Sequence, residues 1–317
     1  MSDNFTSDHV EDESQTSIDG FDHFTIIANG VQFSLIGLGP QDGELALCLH
    51  GFPDTAYTWR YLLGPLAKAG YRAVAPFQRG YWPTRTPPGS SFQTGALVAD
   101  ACAIASQLSP GNQGVIIGHD WGAFSAYGAA AYQPGAWRRV VTCAVPPVAA
   151  MASAFFSVDQ LKRSWYMFFF QVPLAEAAIM MNDLALIERL WNDWSPGYNA
   201  TDDLIHVKRA LRNEDNLSSA IGYYRAMFDS TRHDDSLAQY QAAVMAPTPQ
   251  PLLYMHGRND GCLDVELALA AKTYLNAESK MHIVEDAGHF MNVEQPEEFN
   301  ARVLEFLGPA QPKIPAT

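Results

Sequence analysis

The hydrophobic positions of this chain form short apolar runs that alternate with segments of helical spacing. Each run is bounded by glycine, proline or polar residues, and we expect it to form a β-strand. The predicted strands cover residues 24–27, 31–38, 45–49, 72–75, 115–117, 139–144, 252–255 and 281–284. Helical spacing predicts helices over residues 59–69, 95–108, 123–132, 265–275 and 296–307. This alternation predicts an α/β protein with a mostly parallel sheet and helices on both faces.

The alternation stops between residues 148 and 243. This segment has amphipathic helical runs rich in Met, Phe, Trp and Tyr, and it contains no strand-like run. Strands and helices alternate again from residue 252 onwards. We therefore expect one core domain made of residues 21–147 and 244–317, with residues 148–243 inserted as a separate helical domain.

Charge and composition exclude several classes of function. The net charge of −14 argues against nucleic-acid and anionic-membrane binding. Residues 1–20 carry six acidic side chains and no Lys or Arg, which predicts a disordered acidic leader and not a secretory signal. No apolar run reaches the ~18 residues of a spanning helix. The four cysteines are scattered, which favours reduced thiols in a cytoplasmic protein.

One carboxylate stands between two glycines at the end of an apolar run. Asp120 follows the predicted strand at 115–117, is flanked by Gly118 and Gly122, and precedes an alanine-rich helix. This pattern is typical of a nucleophile elbow, a sharp strand–turn–helix that exposes its middle residue. The other interpretation is a helix N-cap, because Asp is a good cap. An esterase would carry serine here, so Asp120 indicates attack on a different electrophile.

Three further features follow other predicted strands. Residues 50–53 read His-Gly-Phe-Pro, Asp260 follows the strand at 252–255, and His289 follows the strand at 281–284. Open parallel sheets place their sites at these strand ends. The order nucleophile, acid, histidine is that of an α/β-hydrolase triad. Asp264 is a second candidate acid, but we expect it in the first turn of the next helix.

Taken together, these motifs resemble those of the α/β-hydrolases of the epoxide hydrolase branch, close to the haloalkane dehalogenases. The His-Gly-Phe-Pro loop, Gly-His-Asp-Trp-Gly at 118–122, Gly-Arg-Asn-Asp at 257–260 and Gly-His-Phe at 288–290 follow in the family's order. The resemblance covers residues 24–307. It implies an α/β-hydrolase fold in which residues 148–243 form a helical cap domain.

In that family the cap supplies two tyrosines that hydrogen-bond the epoxide oxygen. Residues 166–173 match the segment Tyr-x-x-x-Phe-Gln-x-Pro, and Tyr224-Arg225 matches the second motif. The resemblance therefore implies Tyr166 and Tyr224 as oxygen donors. Tyr223 is the competing candidate for the second role, and packing within an aromatic cap is the alternative for both tyrosines. We expect Arg225 to have a structural role.

The resemblance implies a complete mechanism without cofactor or metal. Asp120 attacks the epoxide carbon and forms an alkyl–enzyme ester. His289 then activates a water molecule, and Asp260 orients His289. The backbone N–H groups of Phe52 and Trp121 form the oxyanion hole. We therefore expect an epoxide hydrolase (EC 3.3.2.-) whose partners are a small apolar epoxide and water.

Two rival functions are compatible with the same residues. A haloalkane dehalogenase would use the same Asp-His-Asp triad, but Phe52 offers no side-chain donor for a halide, and a halide needs no proton from Tyr166 and Tyr224. A non-catalytic protein of this fold could bind a hydrophobic ligand, although it would not need an intact triad. The sequence leaves the natural substrate and the oligomeric state open; a homodimer is compatible with it.

Overall fold

The computed structural model describes residues 20–312, with only the main chain at 152–154. The predicted acidic leader thus lies almost wholly outside the described residues. Eight strands form one sheet within the described range: β1 Asp22–Ala28, β2 Val31–Leu38, β3 Glu44–Leu49, β4 Tyr71–Pro76, β5 Gly114–His119, β6 Trp137–Cys143, β7 Leu252–Gly257 and β8 Lys280–Val284. Their spatial order is β1-β2-β4-β3-β5-β6-β7-β8.

The sheet is parallel from β4 to β8, and β2 pairs antiparallel with both β1 and β4. The Asn29-Gly30 turn that joins β1 and β2 has both residues in the left-handed region, as a tight hairpin requires. The predicted α/β fold with a mostly parallel sheet is confirmed.

Helices that belong to the sheet-forming parts of the chain cover both faces. They are α1 Arg60–Lys68, α2 Thr94–Leu108, α3 Trp121–Tyr132, α11 Val265–Ala270, α12 Met291–Glu294 and α13 Pro296–Leu307. The predicted helix at 265–275 is wrong in its second half, because the α-helix ends at Ala270 and a 3₁₀ turn follows over Ala271–Tyr274.

The central strands are buried over their whole length, which explains their continuous apolar character. On β3, Leu45 and Leu47 face one hydrophobic cluster, and Ala46 and Cys48 face the cluster on the opposite side. Such a strand needs helices above and below it. Burial of each large aliphatic side chain contributes about 1.5–3 kcal/mol, so this strand belongs to the stable centre of the protein.

The segment between β6 and β7 is helical. It contains α4 Val148–Ala154, α5 Val158–Arg163, α6 Trp165–Phe169, α7 Ala175–Trp194, α8 Thr201–Leu211, α9 Glu214–Phe228 and α10 Ala238–Ala243. We call residues 148–243 the cap segment; its status as a separate domain stays a prediction. Within residues 20–312, no helix is both long enough and apolar enough to cross a membrane.

Helix α7 is interrupted near its middle. Met181 has an extended ψ of 145°, and the next three residues, Asn182, Asp183 and Leu184, have φ values of 52°, 54° and 61°. Residues other than glycine rarely adopt this left-handed conformation, although Asn and Asp tolerate it better than most. The interruption separates a first half that begins near α6 from a second half that ends at Trp194.

Candidate active site

The turn between β5 and α3 holds Asp120 in a strained conformation, with φ 53° and ψ −118°. Two glycines make this turn possible. A Cβ at Gly118 would collide with the carbonyl oxygen of Gly122, and a Cβ at Gly122 would collide with that of Leu49. The backbone therefore approaches itself more closely than any side chain would allow, and the turn has the form of a nucleophile elbow.

The Asp120 carboxylate faces the loop after β3. Its Oδ1 accepts a hydrogen bond of 2.7 Å from the backbone N–H of Phe52, and a Cβ at Gly51 would collide with the carboxylate. Asp120 precedes α3, but its side chain makes no capping hydrogen bond. Asp120 therefore occupies the N-cap position without capping the helix through its side chain, and its side chain, only 8% exposed, is turned toward the buried site.

The structure brings the predicted acid and base together. His289 Nδ1 donates to Asp260 Oδ2 at 2.9 Å, and Asp260 Oδ1 accepts from the backbone N–H groups of Cys262 at 2.7 Å and Leu263 at 2.9 Å. His289 Nε2 lies 3.7 Å from Asp120 Oδ2. All three triad candidates are buried, so their charges interact with little screening by water.

Two carboxylates surround one imidazole, and this sets its pKa. Burial lowers the pKa of His289, but the negative charges of Asp260 and Asp120 outweigh burial and raise it from 6.5 to about 10. Burial also opposes ionisation of Asp260, yet His289 holds the pKa of that carboxyl below its ordinary value. The resting site is therefore an ion pair in which His289 carries the proton.

Asp264 lies away from this pair. It is the N-cap of α11, where its side chain accepts from the backbone N–H of Glu266, and it forms an ion pair of 3.1 Å with Arg163. It therefore lies just before the helix in which we expected it, and it does not contact His289.

Tyr224 packs against the loop of Phe52 and the turn of Asp120. Its ring packs edge-on against Phe52 at 5.2 Å and against Trp121 at 5.0 Å, the two residues predicted to form the oxyanion hole. Its hydroxyl is buried and makes no hydrogen bond of good geometry among the described residues, although the Trp121 and Tyr166 side chains lie close enough to lower its pKa slightly. Burial, and then the charge of Asp120, raises the pKa of Tyr224 well above 10, so the phenol keeps its proton.

The hydroxyl of the neighbouring Tyr223 is engaged in a hydrogen bond with the backbone. Its hydroxyl donates to the backbone carbonyl of Arg79 at 2.6 Å. Because the Tyr223 hydroxyl is bonded to the backbone, whereas the Tyr224 hydroxyl makes only weak contacts and lies close to the charge of Asp120, the geometry favours Tyr224 over Tyr223 as the second oxygen donor.

Tyr166 on α6 meets Tyr224 edge-on, with ring centroids 5.6 Å apart. Its hydroxyl lies 3.4 Å from the Cys262 thiol, and sulfur is a weak hydrogen-bond partner. Burial, and then the Cys262 thiol, raises the pKa of Tyr166 well above 10. Both candidate donors are therefore neutral phenols at the same buried site.

The motif residues beside the two tyrosines tie their helices together. Arg225 donates to the carbonyl of Phe170 at 2.9 Å, and Gln171 donates to the carbonyl of Tyr224 at 3.3 Å. Arg225 also forms a bidentate ion pair with Glu176 at the start of α7. The glutamine and arginine of the two motifs thus fix the distance between the segments that carry the phenols, and Arg225 has the expected structural role.

Potential metal ligands come together once within residues 20–312, at Asp260, Cys262 and His289, whose donor atoms lie within 4.8 Å of one another. A metal would have to break the bond between Asp260 and His289. Burial, followed by the charge of Asp260, raises the pKa of Cys262 well above its usual value, whereas a metal requires the thiolate. These residues fit an acid–base pair better than a metal site.

Comparison with known protein families identifies the family of this chain. The family model described as the alpha/beta hydrolase family matches residues 46–302, which is most of the chain. The chain belongs to the alpha/beta hydrolase family. The match includes the strands and loops that carry Asp120, Asp260 and His289, so the order of the triad candidates is that of an alpha/beta hydrolase.

This alpha/beta hydrolase is similar to several proteins named epoxide hydrolase. Human epoxide hydrolase 4 is 30% identical over 290 residues, which cover 88% of this chain and 76% of the relative. The AB hydrolase superfamily protein YfhM of Bacillus subtilis is 28% identical over 295 residues, covering 92% and 99%. The solved structure of an epoxide hydrolase from an endophytic Streptomyces has 26% identity and a TM-score of 0.73, and the match covers 91% and 96%.

Some contacts at this alpha/beta hydrolase site are not predicted by any sequence motif. The Cys262 thiol beside Tyr166 is one example, because a lone apolar-looking cysteine in a loop indicates only burial. His119 is another: its Nε2 donates to the carbonyl of His289 at 2.9 Å across 170 residues of sequence. Only the three-dimensional structure brings such pairs together.

Proposed function

We propose that this alpha/beta hydrolase is an epoxide hydrolase, an enzyme that opens the ether bond of an apolar epoxide to give a vicinal diol. The observation that carries the proposal is the pair of buried phenols: the Tyr224 hydroxyl makes no hydrogen bond of good geometry within the described residues, and the Tyr166 hydroxyl lies against a thiol, which is a weak partner. The epoxide hydrolases among its relatives support the same conclusion.

In the first step Asp120 would act as the nucleophile. Because Phe52 N–H holds Oδ1, Oδ2 is the oxygen that forms the new bond to the epoxide carbon while the ring carbon–oxygen bond breaks. The electron pair of that bond goes to the ring oxygen, which takes a proton from a phenol. An alkoxide leaves poorly without this proton, and acid catalysis of this kind is worth about 10²–10⁴-fold.

In the second step water would hydrolyse the ester. Alkylation removes the negative charge of Asp120, one of the two charges that raise the pKa of His289. His289 can then return its proton to the phenolate left by ring opening and act as base, while Asp260 fixes its tautomer. Water attacks Cγ of Asp120, and the N–H groups of Phe52 and Trp121 stabilise the oxyanion, each by ~2.7–4 kcal/mol. The ester bond then breaks, the alkoxide is protonated, and the net reaction is addition of water.

The two phenols separate this function from dehalogenation. We expect the enzyme to convert styrene oxide to its diol, and the double substitution Tyr166→Phe with Tyr224→Phe to lower that rate at least about 100-fold. Tyr223→Phe is the matched control, because Tyr223 bonds the Arg79 carbonyl and should be dispensable for ring opening. Diol formation by gas chromatography and bromide release from 1-bromobutane are the measurements.

The outcomes are distinct. Bromide release without diol formation would make the protein a dehalogenase, and inertness toward both compounds would favour a ligand-binding role. A double variant with near wild-type diol formation would mean that the epoxide oxygen is held elsewhere. In His289→Gln, intact-protein mass spectrometry should detect the ester on Asp120, because its hydrolysis lacks a base.

A further inference from the structure

The last turn of α7 contacts three of the loops that form the candidate site. The carbonyl of Trp194 accepts two hydrogen bonds of 3.0 Å, from the N–H of Gly261 in the acid loop and from the N–H of His289 itself. The Trp191 indole donates to the carbonyl of Pro53 at 2.8 Å, next to the Phe52 N–H that holds Asp120. One turn of the cap segment therefore touches the loop of the oxyanion donor Phe52 and the loops of the acid and the base.

Ser195 extends these contacts to both sides of His289. Its hydroxyl donates to Glu294 Oε1 at 2.6 Å and accepts from the N–H of Phe290 at 3.1 Å. Glu294 Oε2 in turn accepts from the N–H of Gly288 at 2.8 Å. Three consecutive backbone N–H groups, those of residues 288, 289 and 290, are thus held by α7 or by Glu294.

The packing leaves this loop little freedom to move. A Cβ at Gly261 would collide with the Asp193 carbonyl, and a Cβ at Gly288 would collide with that of Trp194. The rings of Trp191 and Phe290 stack with centroids 3.5 Å apart and 5° between their planes. Since only glycine permits such close backbone contact, the end of α7 and the His289 loop fit together in one arrangement.

We propose that Ser195 and Glu294 are positioning residues that fix His289 for attack by water on the ester. The inference rests on the proposed function, because it assigns them to the second of its two steps. The first step needs Asp120 and the phenols, which Ser195 and Glu294 do not contact. The second step needs His289 Nε2 at the right distance from Asp120, and misplacement of a catalytic group by about 1 Å costs on the order of 100-fold in rate.

The test separates the two steps. The variants Ser195→Ala and Glu294→Gln are mixed with excess styrene oxide, quenched with acid at intervals, and analysed by intact-protein mass spectrometry. We expect ester formation within about twofold of wild type and ester hydrolysis slowed by about 10–100-fold. The ester should accumulate, so that kcat and KM fall together. Ser195→Thr keeps the hydroxyl and should restore part of the hydrolysis rate.

Ser109→Ala is the matched control, because it removes another buried serine hydroxyl, one without a recorded partner, far from the site. Its two rates should equal those of wild type. Equal slowing of both steps in Ser195→Ala and Glu294→Gln, or ester hydrolysis at the wild-type rate, would overturn the proposal. Absence of ester and diol in wild type would instead refute the proposed function, so the two failures are distinguishable.

Discussion

The two oxygens of Asp120 have different surroundings. Oδ1 is held by the Phe52 N–H, and Oδ2 lies 3.7 Å from His289 Nε2. The carboxylate is therefore desymmetrised before any substrate binds: one oxygen lies in a donor site suited to an oxyanion, and the other faces the imidazolium. The same arrangement makes the protonation of His289 depend on whether Asp120 carries its charge.

This dependence predicts a shift of the His289 pKa. Asp120→Asn removes a negative charge that raises the pKa of His289 to about 10, so the pKa of His289 should fall by at least about 1 unit. NMR titration of the imidazole resonances between pH 5 and 11 would measure it. Asp264→Asn is the control, since Asp264 pairs with Arg163 and should leave the titration unchanged. An unaltered His289 pKa in Asp120→Asn would contradict the electrostatic coupling.

Sequence patterns predict the triad candidates better than they predict the two oxygen-donating tyrosines. Asp120 was identifiable because two glycines mark a turn that only glycine can form, and a serine replaced by aspartate signals different chemistry. The choice between Tyr223 and Tyr224 could not be made from the sequence alone, because both are large, amphipathic and adjacent. Only the bond from Tyr223 to the Arg79 carbonyl distinguishes them.

The interruption of α7 is the feature of greatest interest at the level of elements. Three consecutive left-handed residues, 182–184, cost about 1–2 kcal/mol each for ordinary side chains, and they divide one helix into two halves. The second half ends in the turn that contacts the His289 loop. The break thus sets the direction from which Trp194 and Ser195 reach that loop.

The same substitution should have different effects inside this break and in the regular helix that follows it. Asn182→Ala should lower the free energy of unfolding by about 1 kcal/mol, because φ is positive there and alanine adopts that conformation poorly. Asn192→Ala, in the regular helix, should be neutral or stabilising by a few tenths of a kcal/mol. Urea unfolding measures both values.

Asn182→Gly is the control for the left-handed backbone, because glycine adopts it freely, and its stability should lie within about 0.5 kcal/mol of wild type. If Asn182→Ala were as stable as Asn192→Ala, residue 182 would have to be helical in solution.

The ends of helices and strands were predictable where the hydrophobic pattern and the residues that start or stop an element agree. Val31–Leu38 and Pro296–Leu307 match their predicted ranges in full, since alternation or a proline at the first helical turn marks them. The break in α7 was not predictable, because Met-Met-Asn-Asp-Leu contains no glycine or proline.

At the scale of the whole molecule, an ion pair joins the cap segment to the rest of the chain. Arg60 on α1 pairs with Asp203 on α8 at 2.6 Å. Nearby, Asp54 is buried with its Oδ2 unpartnered among the described residues. Burial raises the pKa of Asp54 to about 7, compared with about 3.9 in an unfolded chain.

Stability should therefore depend on pH through Asp54. Between about pH 4 and 7 the folded state binds this proton and the unfolded state does not, so the free energy of unfolding decreases as pH rises through that window. Asp54→Asn should flatten this dependence and stabilise the protein at pH 7.5, by up to about 4 kcal/mol. Urea unfolding at pH 4.5 and 7.5 is the test, with the exposed Asp42→Asn as control. Equal pH dependence in wild type and Asp54→Asn would contradict the assignment.

The position of the cap segment between β6 and β7 has a consequence for how the protein forms. A chain synthesised from its N-terminus completes the strand and turn of Asp120 long before Asp260 and His289 exist. Between them the ribosome adds nearly a hundred residues of apolar-rich helices, and the end of α7 meets the loops of Gly261 and His289 only after β7 and β8 join the sheet. Such distant pairings fold slowly and leave apolar surface exposed meanwhile. Assembly of the candidate site is therefore a late event in the life of the nascent polypeptide.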